Sequence, residues 1–178
     1  MEGILFSYRT VPRDESFNAM YEVRSILEKI KNEYPALKDL TPTLNPGGHR
    51  GLIFVDLRDI IKGLSEEVIS QLKKTFIDIY GELKEAQELE SVLKMRIFDI
   101  ITEASLEKVV EGVLKIKDKI QGRWRITLKT RHVSISREEL IKKAAEPINY
   151  PVDLKNPEYI LLIEFFGNLV GLSVIKNK

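Results

Sequence analysis

The patterning of this chain predicts a two-layer α/β (α+β) protein, with helices laid over mixed sheet. Three observations predict it. Short β-branched and aromatic runs alternate with segments of helical period. The last two runs are separated only by a Gly-Asn turn, so they pair antiparallel. The polar helical stretch 81–94, "GELKEAQELESVLK", has few apolar residues to anchor it and falls near the middle of 178 residues. It reads as a join between two compact subdomains, 1–85 and 86–178.

Each element follows from local signals. "ILFSY" (4–8) reads as a buried strand. The next segment places Phe17, Met20, Val23, Leu27 and Ile30 at helical spacing, with Pro35 as its stop. Residues 41–51, "TPTLNPGGHRG", read as a Pro/Gly-rich loop, and "LIFVDL" (52–57) as a second strand. Ser65, followed by Glu66 and Glu67, caps a helix that the pattern carries to about Leu93, with Gly81 as a point of interruption. On this reading, 1–85 is a ferredoxin-like β-α-β-α subdomain.

In the second half, "KMRIFDII" (94–101) reads as one strand. Ser105 opens a helix carrying Leu106, Val109, Val110, Val113 and Leu114, and Gly122 lies beyond its end. "RWRITLKTR" (123–131) alternates as a strand does. Ser136 and Glu139 form a capping box for a helix closed by Pro147. "YILLIEF" (159–165) and "LVGLSVI" (169–175) form the closing hairpin.

Composition bounds what the chain can do. It is 43% hydrophobic and 31% charged, the balance of a solvated globular protein able to bury a core. With no cysteine, disulfides and thiolate metal sites are excluded. The missing cysteines and the dense Lys and Glu fit a thermophilic source. No apolar run is long enough to cross a bilayer, and "MEGILFSYRT" lacks the form of a signal peptide, so a cytoplasmic location is expected. The net charge of +1 hides an asymmetry. Residues 1–120 hold 18 Lys and Arg against 21 Asp and Glu, net −3, whereas 121–178 hold 10 against 6, net +4. Local potential, more than total charge, attracts an anionic partner.

Catalytic chemistry is hard to assemble from these residues. His49 and His132 are the only imidazoles, and neither sits in a metal-ligand pattern. His132 continues the buried parity of its strand, which favours a structural role. Asp56 and Asp59 flank Arg58 after a strand, an arrangement suited to capping and ion pairs. "NPGGHRG" lacks the Lys-Ser/Thr of a P-loop and precedes a strand instead of a helix. It leaves only backbone contact to phosphate near Gly47, Gly48 and Arg50. Under an enzymatic reading, His49, Arg50 and Asp56 would carry the chemistry.

The positive charge is more suggestive. In 123–131, Trp124, Ile126 and Leu128 share one parity, while Arg123, Arg125, Lys129 and Arg131 share the other. Such a row serves equally as a solvated face, an edge protected from aggregation, a set of partners for Glu on neighbouring strands, or a phosphate track. Lys142 and Lys143 follow on the next helix. Lys155 and Asn156 follow in a loop stiffened by Pro147, Pro151 and Pro157. Arg and Lys suit phosphates, and Asn suits a base edge or ribose. A further use of such a face is docking to an acidic protein.

Here the residues resemble a known family. "PVDLKNPEYILLIEFFGNLVGLSVIK" (151–176), preceded by "WRITLKTRHVSISREELIKKAAEPI" (124–148), is similar to the end of a THUMP domain. The resemblance is to stand-alone THUMP proteins that serve as adaptors of the tRNA cytidine acetyltransferase. It rests on Lys129-Thr130-Arg131, Ser136, Val152 to Pro157, Gly167 and Gly171 to Val174. It implies a THUMP domain with mixed sheet over 86–178 that binds the tRNA acceptor region, including its single-stranded 3′ end. It further implies a non-catalytic protein without cofactor, since no catalytic domain follows the motif. The implied partner is a separate acetyltransferase that forms 4-acetylcytidine. The implied RNA contacts are Lys129, Arg131, Lys155 and Asn156, supported by Lys142 and Lys143. Arg123 and Arg125 rest on the alternation alone.

Overall fold

The computed structural model describes residues 1–131 and 133–177, so the expectation for His132 lies outside the described residues. The chain forms two compact units, 1–97 and 98–178. The division falls beyond the 85/86 boundary expected from composition, because the strand that follows the long helix pairs into the first sheet.

In the first unit, β1 (Gly3–Tyr8), β2 (Thr43–Leu44), β3 (Leu52–Asp56) and β4 (Val92–Phe98) form one sheet in the order β2-β3-β1-β4. β1 and β2 each pair antiparallel with β3. With α1 (Ser16–Glu33), the single turn α2 (Arg58–Ile61) and α3 (Glu66–Glu85), this is the β-α-β-β-α-β succession of a ferredoxin-like unit. β2 was not anticipated: it is two residues long and lies inside the stretch read as a loop.

Three further expectations are corrected here. The stripe on α1 does not include Phe17, which is 92% exposed; the buried positions are Ala19, Glu22, Val23, Ile26, Leu27 and Ile30. The helix α3 passes through Gly81 but stops at Glu85, not near Leu93. Its end is a Schellman arrangement, in which the Gln87 N–H donates to the Lys84 carbonyl (3.1 Å) and the Glu88 N–H to Leu83 (2.9 Å). Gln87 takes the left-handed conformation (φ 59°) that glycine usually supplies, so composition gave no warning. Finally, "KMRIFDII" is two strands in two sheets. β4 is broken at Asp99 from β5 (Ile100–Glu103).

What starts β4 is a buried carboxylate. Glu22, on α1, accepts the Glu90 (2.8 Å), Ser91 (3.0 Å) and Val92 (2.9 Å) backbone N–H groups. A buried charge persists only when so satisfied.

The second unit comprises β5, α4 (Leu106–Ile116), β6 (Trp124–Lys129), α5 (Arg137–Ala145), β7 (Tyr159–Phe166) and β8 (Leu169–Lys176). The sheet order is β5-β8-β7-β6; β6 runs parallel to β7, and the other pairs are antiparallel. The expected caps form. Ser105 Oγ accepts the Lys108 N–H (3.1 Å) and Ser136 Oγ the Glu139 N–H (3.4 Å). Phe166 pairs with Leu169 across Gly167 (φ 65°) and Asn168, the pattern of a II′ turn. One sheet face packs Trp124, Leu128, Leu161, Ile163, Phe165 and Leu172 against Val109 and Val113 of α4 and Leu140 and Ala144 of α5. Among the described residues, no helix is long and apolar enough to cross a membrane.

Candidate nucleic-acid interface

β6 is an edge strand of its sheet, and the loop after α5 covers its beginning. The Trp124 indole is buried and its N–H donates to the Tyr150 carbonyl (2.9 Å). The Trp124 backbone N–H donates to Pro151 (3.2 Å), and its carbonyl accepts the Asp153 N–H (2.9 Å). Arg123's carbonyl accepts the Glu158 (2.9 Å) and Tyr159 (3.1 Å) N–H groups. Residues 150–159 are thereby tied to the start of β6 at several points.

Within that loop Asp153 is the organiser. Its Oδ1 accepts the Lys155 (3.0 Å) and Asn156 (2.9 Å) backbone N–H groups, the short-range bonding that Asp offers a turn. The Asn156 N–H, the Lys155 N–H and the nearby Arg123 guanidinium hold the Asp153 carboxyl below the usual range, with burial opposing. Because the acid is turned onto its own backbone, the Lys155 and Asn156 side chains are left exposed. Neither has a side-chain partner among the described residues.

The row on β6 is not the open track that alternation suggests. Arg123 reaches Glu158 (Nε to Oε1, 3.1 Å) and Asp153 (Nη1 to Oδ2, 3.4 Å). Arg125 donates through Nη1 to the Leu154 carbonyl (3.1 Å), and its buried Nε has no partner among the described residues. Lys129 is half-buried, and in register it faces Glu164 across the β6–β7 pair. Arg131 binds Glu164 (Nη1 to Oε2, 2.8 Å) and donates to the Phe165 carbonyl (3.0 Å). Glu164 is fully buried. The expectation that one parity is buried and the other displayed therefore fails. Ile126 is only half-buried, and Arg125, Lys129 and Arg131 are half-buried on the other face. The pairing with Glu on a neighbouring strand that such a row allows is realised at Glu164, the lone Glu inside the apolar run "YILLIEFF".

Lys142 and Lys143 occupy the last turn of α5, where cations complement the helix dipole. Both are exposed; Lys143 lies 3.9 Å from Glu146, whereas Lys142 has no partner among the described residues. Since β6 and β7 are parallel, α5 must carry the chain back to the starting end of β6. Its last turn and the Asp153 loop therefore lie toward the same end of the sheet. A cleft of about 280 Å³ opens there, lined by Lys117, Gln121, Asn149 and Tyr150 among others.

The other candidates are distributed differently. Arg50 pairs with Asp14 (2.8 Å). The Ser16 backbone N–H and Arg50 hold the Asp14 carboxyl below its usual range. Asp56 is engaged by Arg58 (2.8 Å). Burial opposes its ionisation, but the Arg58 guanidinium and backbone N–H together keep its carboxyl low. In the Gly-rich loop, the Gly48 N–H donates to the Asn45 carbonyl (2.9 Å), and the Gly51 N–H to Asn45 Oδ1 (3.2 Å). Those donors are occupied within the loop, which removes them as a ready phosphate cradle.

No family model matches the chain, and no curated protein matches it in sequence. Solved structures do match it in fold. PH1313 from Pyrococcus horikoshii Ot3 superposes with a TM-score of 0.51 at 19% identity, over 99% of this chain and 55% of that one. A 4-thiouridine synthetase in a complex with RNA and bound ATP superposes with a TM-score of 0.55 at 9% identity, over 99% of this chain and 42% of that one. The chain thus spans about half the length of these proteins. They have THUMP-domain folds, and the likeness at such identities is one of fold: the chain has the fold that its sequence resemblance implied.

Proposed function

We propose that this protein is a non-catalytic tRNA-binding adaptor that holds the acceptor region and its single-stranded 3′ end for a modification enzyme. The enzyme that fits the sequence resemblance is a separate tRNA cytidine acetyltransferase forming 4-acetylcytidine. One observation carries the reading. Asp153 ties its carboxylate to the backbone of its own loop, and beside the start of an edge strand that loop presents Lys155 and Asn156, exposed and without side-chain partners among the described residues. A rigid loop offering a cation and an amide suits a phosphate and a splayed base of unpaired RNA. The shared fold with a synthetase whose structure contains RNA supports the same reading.

The RNA-facing set is narrower than the eight cations and amides first considered. Among the described residues, the side chains of Lys155, Asn156 and Lys142 have no partner. Lys143 and Arg123 would exchange weak exposed pairs, worth about 0–1 kcal/mol each, for phosphate. Arg131 and Lys129 act behind them as framework beside Glu164.

The adaptor role is tested by nucleoside analysis of tRNA after incubation with ATP and acetyl-CoA. The purified protein alone should form no 4-acetylcytidine, the acetyltransferase alone little, and the two together substantially more. Product from this protein alone would overturn the non-catalytic reading, and equal product with and without it would overturn the adaptor role.

A further inference from the structure

The segments that leave α4 and α5 meet in the cleft of about 280 Å³. The buried residues Ile120 and Ile148 bring aliphatic surface to its lining. A turn fixes each of them: the Ile120 N–H donates to the Lys117 carbonyl (3.0 Å) and the Ile148 N–H to Ala145 (3.0 Å). Tyr150 is anchored through its own carbonyl, which accepts the Trp124 indole N–H (2.9 Å), yet it stays 44% exposed. The volume lies just below the roughly 300–1,000 Å³ of clefts that enclose drug-sized ligands, so it suits a single ring system.

The polar lining narrows the ligand. Lys117, Asp118 and Asn149 have no side-chain partner among the described residues, and Gln121 makes a 3.4 Å contact to the Asp118 carbonyl. The cleft therefore offers a cation, a carboxylate, two amides and an aromatic ring. Lys117 opposes a metal cation, and Asp118 opposes an acidic peptide. An aliphatic ligand would leave the polar groups unsatisfied. A nucleotide answers each of them, with phosphate for the cation, a base edge for the amides and a ring face for Tyr150. A carboxylate only accepts hydrogen bonds, so Asp118 favours a base that presents an exocyclic amino group. The one N–H on the pairing edge of uracil lies between two carbonyl oxygens, which a carboxylate repels.

We propose that this cleft seats one unpaired RNA base on Tyr150 and selects an amino-bearing base over uracil through Asp118. The inference rests on the tRNA-binding reading and deepens it by giving the site a base preference. Lys142 and the Asp153 loop, toward the same end of the sheet, are placed for the neighbouring phosphates.

The test measures binding of the full chain to short single-stranded oligomers of cytidine and of uridine. The cytidine oligomer should bind at least about fivefold more tightly. Asp118→Asn, whose amide donates as well as accepts, should bring that ratio to about one. Tyr150→Ala should weaken the cytidine oligomer at least about fivefold. Both positions are exposed, and circular dichroism and melting equal to wild type verify folding. A wild-type ratio of one or below, or a cytidine preference that Asp118→Asn leaves intact, would overturn the base site. If tRNA is still bound, that result leaves the tRNA-binding reading standing. No binding of tRNA or of either oligomer would overturn both. Cytidine monophosphate bound as tightly as the oligomer would give the cleft to a free nucleotide and overturn its role as an RNA subsite.

Discussion

Glu164 is fully buried and ionisable, and its pairing with Arg131 sets what substitution there will report. Lys129 still faces Glu164 when Arg131 is removed, so the loss is that of a charge-assisted hydrogen bond, about 1–3 kcal/mol, and not of the only counter-charge. Arg131→Ala should destabilise the second unit by that order in chemical denaturation, and its tRNA binding is read against that loss. Lys155→Ala is the cleaner probe. It removes an exposed side chain that has no partner among the described residues, so stability should change by less than about 0.5 kcal/mol. Binding should weaken by about 1 kcal/mol, roughly fivefold, across tRNA species. The site was legible in part. "DLKNP" identifies the loop, and Asp153 followed by Lys-Asn-Pro is a local pattern that one segment can enforce. Pairing of the β6 cations with Glu on a neighbouring strand was legible as a kind of contact, but not which Glu, because Glu164 and Glu158 are distant in sequence and become neighbours only once β7 pairs with β6.

At the scale of elements, chain punctuation decided what could be foreseen. Ser65, Ser105 and Ser136 cap their helices as their identity predicts, and the Gly-Asn turn closes the last hairpin. The end of α3 was not legible because Gln87 adopts a conformation its residue type does not advertise. Nor was the break at Asp99. That residue donates its N–H to Leu172 (2.9 Å), accepts the Val174 N–H (3.1 Å) and pairs with Lys119 (3.0 Å). All three contacts are non-local. Gly171 is required by the same junction. A Cβ there would lie 2.6 Å from the Phe98 ring, which itself stacks on Phe166 with centroids 6.2 Å apart. Gly171→Ala should force the ring aside and cost on the order of 1–3 kcal/mol, read from the midpoint of urea unfolding. A midpoint within error of wild type would show that Phe98 has room to give.

For the molecule as a whole, charge is divided unevenly: residues 121–178, which include the Asp153 loop, carry net +4 against net −3 in 1–120. The measurement closest to the central claim is the affinity of this protein for intact tRNA and for tRNA stripped of its single-stranded 3′ end, across a salt series. Affinity should fall steeply with salt, as counterions are released from contacted phosphates. Intact tRNA should bind at least about tenfold more tightly than the trimmed form, a difference of roughly 1.4 kcal/mol. Equal affinity for the two forms would contradict recognition of the 3′ end, and no measurable binding of either would contradict the RNA-binding reading itself.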